Sequence, residues 1–144
     1  MDADMIFSIA NMTALAGWLA LLGSPFFPRV ADRVAGLLIP ALLAVAYTGL
    51  VLAFWSAAEG GFDSLDNVAA LFRTRELLLA GWIHYLAFDL FVGAWIVRAA
   101  RHSRVPFLLL VPCLVLTFLF GPAGLLAFLA LRGARNPAAA AVTA

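Results

Sequence analysis

Lysine is absent from this chain of 144 residues, and all nine of its cations are arginine. Without a lysine amine no Schiff base can form, which excludes aldimine chemistry and a covalently tethered retinal. The single cysteine, Cys113, sits inside a hydrophobic run. It has no partner for an intramolecular disulfide and reads as a small packing residue. Histidine occurs twice, at His84 and His102, with no pair spaced to hold a metal on one helix face. Histidine-rich diiron hydroxylation or desaturation is therefore unsupported, and no metal site is expected. A glycine-rich dinucleotide fingerprint, a P-loop and a serine-nucleophile elbow are all missing, so no cofactor is expected. Charge is scarce as well: 12% of the residues carry it, against about a quarter in an ordinary soluble domain. A net charge of +1 gives no reason to expect nucleic acid as a partner.

What fills the chain instead is apolar surface, at 65% hydrophobic residues. A spanning helix needs about 20 mostly apolar residues. Four stretches qualify, roughly 5–22, 34–57, 77–97 and 105–131. The expected fold is an all-α membrane protein, a four-transmembrane-helix bundle in one domain over residues 1–135, surrounded by membrane lipid. An alanine-rich disordered tail is expected over 136–144. So small a bundle is also compatible with a homo-oligomer. The first stretch is read as a helix rather than a signal peptide: Asp2 and Asp4 precede it, and no arginine appears before Arg29. The fourth is long for one crossing and holds Pro112 and Gly121-Pro122, which predict a kink or a break. Prolines at 40, 112 and 122 free the carbonyls of Gly36, Leu108 and Phe118, and each such group must find a partner inside a membrane.

The longest connection lies between helices two and three. Gly60-Gly61 breaks the chain, Asp63 or Ser64 can cap a short helix, and Leu65, Val68, Ala69 and Phe72 then share one face. This segment is predicted to lie flat at the interface. With four crossings, Arg29, Arg33, Arg98, Arg101 and Arg104 oppose Arg73, Arg75, Arg132 and Arg135. Five against four decides little. The two aspartates before helix one and the two arginines after it favour both termini on the non-cytoplasmic side.

Ionisable residues at bilayer depth are costly and point to function. Only helix three carries them, as His84 and Asp89. Their spacing of five puts them about 140° apart around the axis. Tyr85 does share the face of Asp89, in a small, polar stripe Gly81, Tyr85, Asp89, Gly93 that suits a bundle interior. Asp89 is either a titrating group or a protonated structural carboxyl bonded to Tyr47 or Thr117. His84 is either an acid–base group or a histidine bonded to a backbone carbonyl. Asn11 lies about as deep as His84, and Tyr47 and Thr117 lie closer to Asp89. Trp82, Phe88 and the other tryptophans are interfacial anchors or the walls of an apolar slot. The chemistries left open are redox-neutral acid–base catalysis, a binding pocket, and proton or ion passage.

The stretch Ala80-Gly-Trp-Ile-His-Tyr-Leu-Ala-Phe-Asp-Leu-Phe-Val-Gly93 and the stretch Leu116-Thr-Phe-Leu-Phe-Gly-Pro-Ala-Gly-Leu-Leu126 resemble two signature stretches of the abscisic-acid-deficient-four-like family. Gly61-Phe-Asp-Ser-Leu65 and Phe7-Ser-Ile-Ala-Asn11 resemble it too, so the similarity covers nearly the whole chain. Plant members of that family are plastid membrane proteins needed to form neoxanthin, by isomerising an epoxy-carotenoid to an allenic one without net redox change. The resemblance implies an apolar polyene or related isoprenoid as ligand. The arginine-only, alanine-rich make-up points to a bacterial inner membrane.

Opening an epoxide requires a proton donor at the oxygen and a base at the adjacent C–H. The catalytic candidates are His84 and Asp89, with Tyr85 as a further donor. The substrate-binding candidates are Asn11, Tyr47, Trp82, Phe88 and Thr117. Two rivals remain: a non-catalytic pigment-binding or scaffold protein using the same pocket, and a proton-linked transporter with Asp89 as its carrier.

Overall fold

The computed structural model describes residues 2–135, and the tail expected over 136–144 lies outside them. Helix α1, Ala3–Leu22, ends where Ser24-Pro25 stops it. Helix α2 is a 30-residue rod, Pro28–Ala57, with proline in its first turn, where a missing N–H costs nothing. It widens into a π-turn over Val34–Leu38, where Ile39 N–H donates to Val34 O. Pro40 lies just beyond and cannot donate to Gly36, so the wider turn accommodates the interrupted ladder. Helix α3, Leu65–Leu71, is the short helix expected between the second and third spans. Ser64 caps it by accepting from Asn67 N–H at 3.2 Å, and Asn67 Nδ2 donates to Asp63 at 2.8 Å. That side-chain bond holds the Asp63 carboxyl below its usual range.

Helix α4, Arg75–His102, is the axis of the molecule. Its 28 residues rise about 42 Å, enough to reach beyond a hydrocarbon core of about 30 Å at both ends. Helix α1 runs parallel to it: Asp4 pairs with Arg75, Asn11 meets Trp82, and the Trp18 ring covers Gly93. A Cβ at Gly93 would come 2.7 Å from that ring. Helix α2 runs antiparallel, with Tyr47 beside His84 and Asp32 paired with Arg101.

The fourth apolar stretch departs from the expected single crossing. It forms two helices, α5 Phe107–Phe120 and α6 Pro122–Arg135, of 14 residues each. Each is about 21 Å long, short of the hydrocarbon thickness. Helix α5 rises antiparallel to α4 until the Tyr85 hydroxyl donates to Leu119 O at 2.9 Å. At Gly121 the backbone takes φ +44°, ψ −94°, and Pro122 starts a helix in a new direction. A straight continuation would put Gly124 roughly 16 Å beyond Cys113. Instead a Cβ on Gly124 would collide with Thr117 and the Cys113 carbonyl, so the two helices lie back to back. The return strand of this hairpin then runs down α4. Phe128 is fully buried edge-on against Trp95 at 5.8 Å, and the Arg132 guanidinium sits 6.0 Å from the same ring.

Among the described residues three helices are long and apolar enough to cross a membrane. The fourth stretch folds back on itself. Among the described residues this departs from the expected single fourth crossing: the end of α6 lies with the α4–α5 turn, opposite the start of α1. The physical cause is the reversal at Gly121-Pro122, where a side chain would meet Asp89 and the following residue has no N–H to continue the ladder.

Gly121→Ala and Gly124→Val are expected to open this hairpin and cost about 1–3 kcal/mol each. Gly49→Ala, with open space around the added methyl, should be neutral or slightly stabilising. Thermal unfolding in detergent micelles measures the difference; equal melting of all three would show that the hairpin does not close as described.

Candidate functional site

Helix α4 presents its polar residues to two different seams. On the α1 and α5 side lie Asn11, Trp82, Tyr85 and Asp89. Trp82 Nε1 donates to Asn11 Oδ1 at 3.2 Å, and Asn11 Nδ2 donates to Phe7 O at 2.7 Å. The Tyr85 hydroxyl is bound to Leu119 O. A cavity of about 330 Å³ opens here, lined by Asn11, Trp82, Tyr85, Phe118 and Leu119 among others. Its polar groups already have protein partners. Asp89 lies deeper, 8% exposed, with its carboxylate against Gly121 at the hairpin tip and Oδ2 without a hydrogen-bond partner. Thr117 is fully buried, bonds Cys113 O at 2.8 Å, and faces Gly124. It packs α5 against α6, and its hydroxyl is bonded to Cys113 O rather than to Asp89.

The α2 side is built differently. His84 lies about 13 Å along α4 from its first residue. Its ring centroid is 4.6 Å from that of Phe88 and 5.7 Å from that of Tyr47. Neither His84 nor Tyr47 makes a side-chain hydrogen bond among the described residues. Both line a cavity of about 270 Å³ whose walls include Trp55, Phe62 and Phe72. Gly81 makes room for this wall, since a Cβ there would sit 3.1 Å from the Phe72 ring. The floor is fixed by the α3 cap and by Gly61 N–H, which donates to Asn67 O at 3.2 Å. Further along the same seam lies an apolar groove of about 320 Å³, lined by Gly36, Pro40, Ala41, Ala44, Phe88 and Phe91. The small residues and the π-turn of α2 leave that groove open.

The structure therefore brings His84, Tyr47 and Phe88 together, and separately Asn11, Trp82 and Tyr85. His84 and Asp89 stay on different faces, as their angular separation requires. The aromatic wall was missed by sequence reasoning, although Tyr47, Val51 and Trp55 recur every fourth residue and so mark one face of α2.

The family profile of the ABA DEFICIENT 4-like proteins matches residues 5–128. The chain belongs to the ABA DEFICIENT 4-like family. The match takes in nearly all of the three long apolar helices and the hairpin down to Phe128, so this member of the family is a membrane protein with the α4 polar residues inside the matched region. No curated protein and no solved structure matches the chain.

Two tyrosine variants separate the two faces. Tyr85→Phe leaves the Leu119 carbonyl without a partner where lipid cannot supply one and should cost about 1–3 kcal/mol in stability. Tyr47→Phe removes a hydroxyl that holds nothing and should stay within about 0.5 kcal/mol. Denaturation in mixed detergent micelles reads both; a larger loss for Tyr47→Phe would reverse this assignment.

Proposed function

We propose that the protein binds a carotenoid or related isoprenoid in the α2–α4 seam and isomerises its oxygenated ring end by redox-neutral acid–base chemistry. The observation that carries this reading is the pair His84 and Tyr47, side by side, unpaired among the described residues, in an aromatic pocket. Polar groups at bilayer depth have no water to satisfy them, so a pair without protein partners calls for a ligand oxygen. A pocket of about 270 Å³ holds one substituted six-membered ring. The apolar groove beside it continues along α2 toward Gly36, a course of about 28 Å from Trp55, which suits the rigid chain of a polyene.

For an epoxide ring the steps balance without oxidant or reductant. Tyr47 gives its proton to the epoxide oxygen as the ring C–O bond breaks. His84 takes a proton from the neighbouring chain carbon, and the C–H electron pair becomes the new C=C bond. His84 then returns the proton to Tyr47 across the ring contact. Phe88 stacks on His84 and fixes its plane.

A second reading rests on the unpartnered Asp89 Oδ2: Asp89 with Tyr85 would be the acid–base pair, acting at the hairpin tip. The two readings differ in which variants fail. Membranes carrying each variant are supplied with an epoxy-carotenoid and the products are separated. His84→Gln and Tyr47→Phe should each lose roughly a hundred- to ten-thousand-fold in conversion while the polyene absorbance of the bound ligand persists. Full conversion by both, with loss in Asp89→Asn, would move the chemistry to the hairpin tip. Binding without conversion in the parent protein would leave a pigment-binding protein.

A further inference from the structure

The reversal at Gly121 redistributes the charges of the whole molecule. One end of the bundle carries Arg29 and Arg33 on α2, and Arg98, Arg101 and Arg104 around the α4–α5 turn. The returning α6 adds Arg132 and Arg135 to that same end. Seven arginines there face a single acid, Asp32, a net of +6. At the other end Arg73 and Arg75 are outnumbered by Asp2, Asp4, Glu59, Asp63, Asp66 and Glu76, a net of −4. A continuous fourth span would have left the arginines nearly even; the hairpin makes them seven to two.

Only Arg101 of the seven is held by a carboxylate, that of Asp32, among the described residues. Arg132 lies over the Trp95 and Phe128 rings at about 6 Å, and tryptophan is the residue type enriched where a bilayer meets its headgroups. Arg29, Arg104 and Arg135 are exposed. Guanidinium groups offer forked donors matched to phosphate oxygens, and a basic rim next to spanning helices is drawn to an anionic leaflet.

We propose that this arginine end is a binding surface for anionic phospholipid headgroups, and that it faces the cytoplasmic leaflet with the start of α1 on the opposite side. The inference is independent of what the α2–α4 seam binds. Two measurements test it in the full-length protein in a Cys113→Ser background. First, single cysteines at Ser64, Ser103 and Ala134 are labelled in intact cells with a membrane-impermeant maleimide. Ser64→Cys should label, and Ser103→Cys and Ala134→Cys should both stay protected until the membrane is opened. Labelling of Ala134→Cys together with Ser64→Cys would overturn the shared arginine end, and the inverse pattern would overturn its orientation.

Second, native mass spectrometry compares protein released from vesicles of equal phosphatidylglycerol and phosphatidylcholine. Retained phosphatidylglycerol should exceed phosphatidylcholine several-fold. The triple variant Arg29→Gln, Arg104→Gln, Arg135→Gln should lose that excess while still labelling from the expected sides. Equal retention of the two lipids, or an excess unchanged in the triple variant, would overturn the lipid assignment. So would complete displacement by inorganic phosphate, which would make it a free-anion site.

Discussion

The structure depends on how one chain reversal is satisfied inside a membrane. Backbone that leaves a helix at bilayer depth exposes carbonyl and amide groups that lipid cannot solvate. At Gly121-Pro122 the neighbouring helix supplies the remedy. The Tyr85 hydroxyl takes up the Leu119 carbonyl, the Asp89 carboxylate fills the space where a side chain at position 121 would stand, and Gly124 lets α6 lie on α5 without a gap. The two prolines have different effects. Pro112 is carried inside α5 without ending it, whereas Pro122 follows a residue already turned to positive φ and starts a new helix.

From this reversal follows a division of labour around α4. On the face that meets α1 and the hairpin, Asn11, Trp82 and Tyr85 are bound to other protein groups and Asp89 Oδ2 alone is left without a partner, which makes it chiefly the supporting side. The face that meets α2 holds a histidine and a tyrosine that support nothing, framed by aromatic rings and by the small residues of a widened helical turn. Rigid helices carry both sets, which favours fixed geometry over loop adaptability.

The three long helices were legible because each is a long, predominantly apolar run, and the short helix between the second and third was legible because Ser64 announces its cap. The hairpin was not. Two helices of 14 residues add up to the length of one generous span, so composition alone cannot separate a kinked crossing from a return. Gly121-Pro122 signals a break without giving its direction; that direction comes from Gly124, whose role as a contact point is invisible without its partners Thr117 and Cys113. In the candidate site the angle between His84 and Asp89 was readable from helical geometry. The pairing of Tyr47 was not, because depth was used to place it near Asp89, and depth says nothing about rotation around α2. Thr117 illustrates the same gap: it matches the depth of the site yet points at its own hairpin.

The groove between α2 and α4 has no roof on the lipid side, since Leu37, Phe88 and Phe91 stand exposed along its edges. A ligand held there would exchange sideways with the hydrocarbon rather than through water. Its occupancy is then governed by the ligand's mole fraction in the bilayer, and swelling the membrane with inert lipid dilutes the ligand as surely as adding buffer dilutes a soluble one.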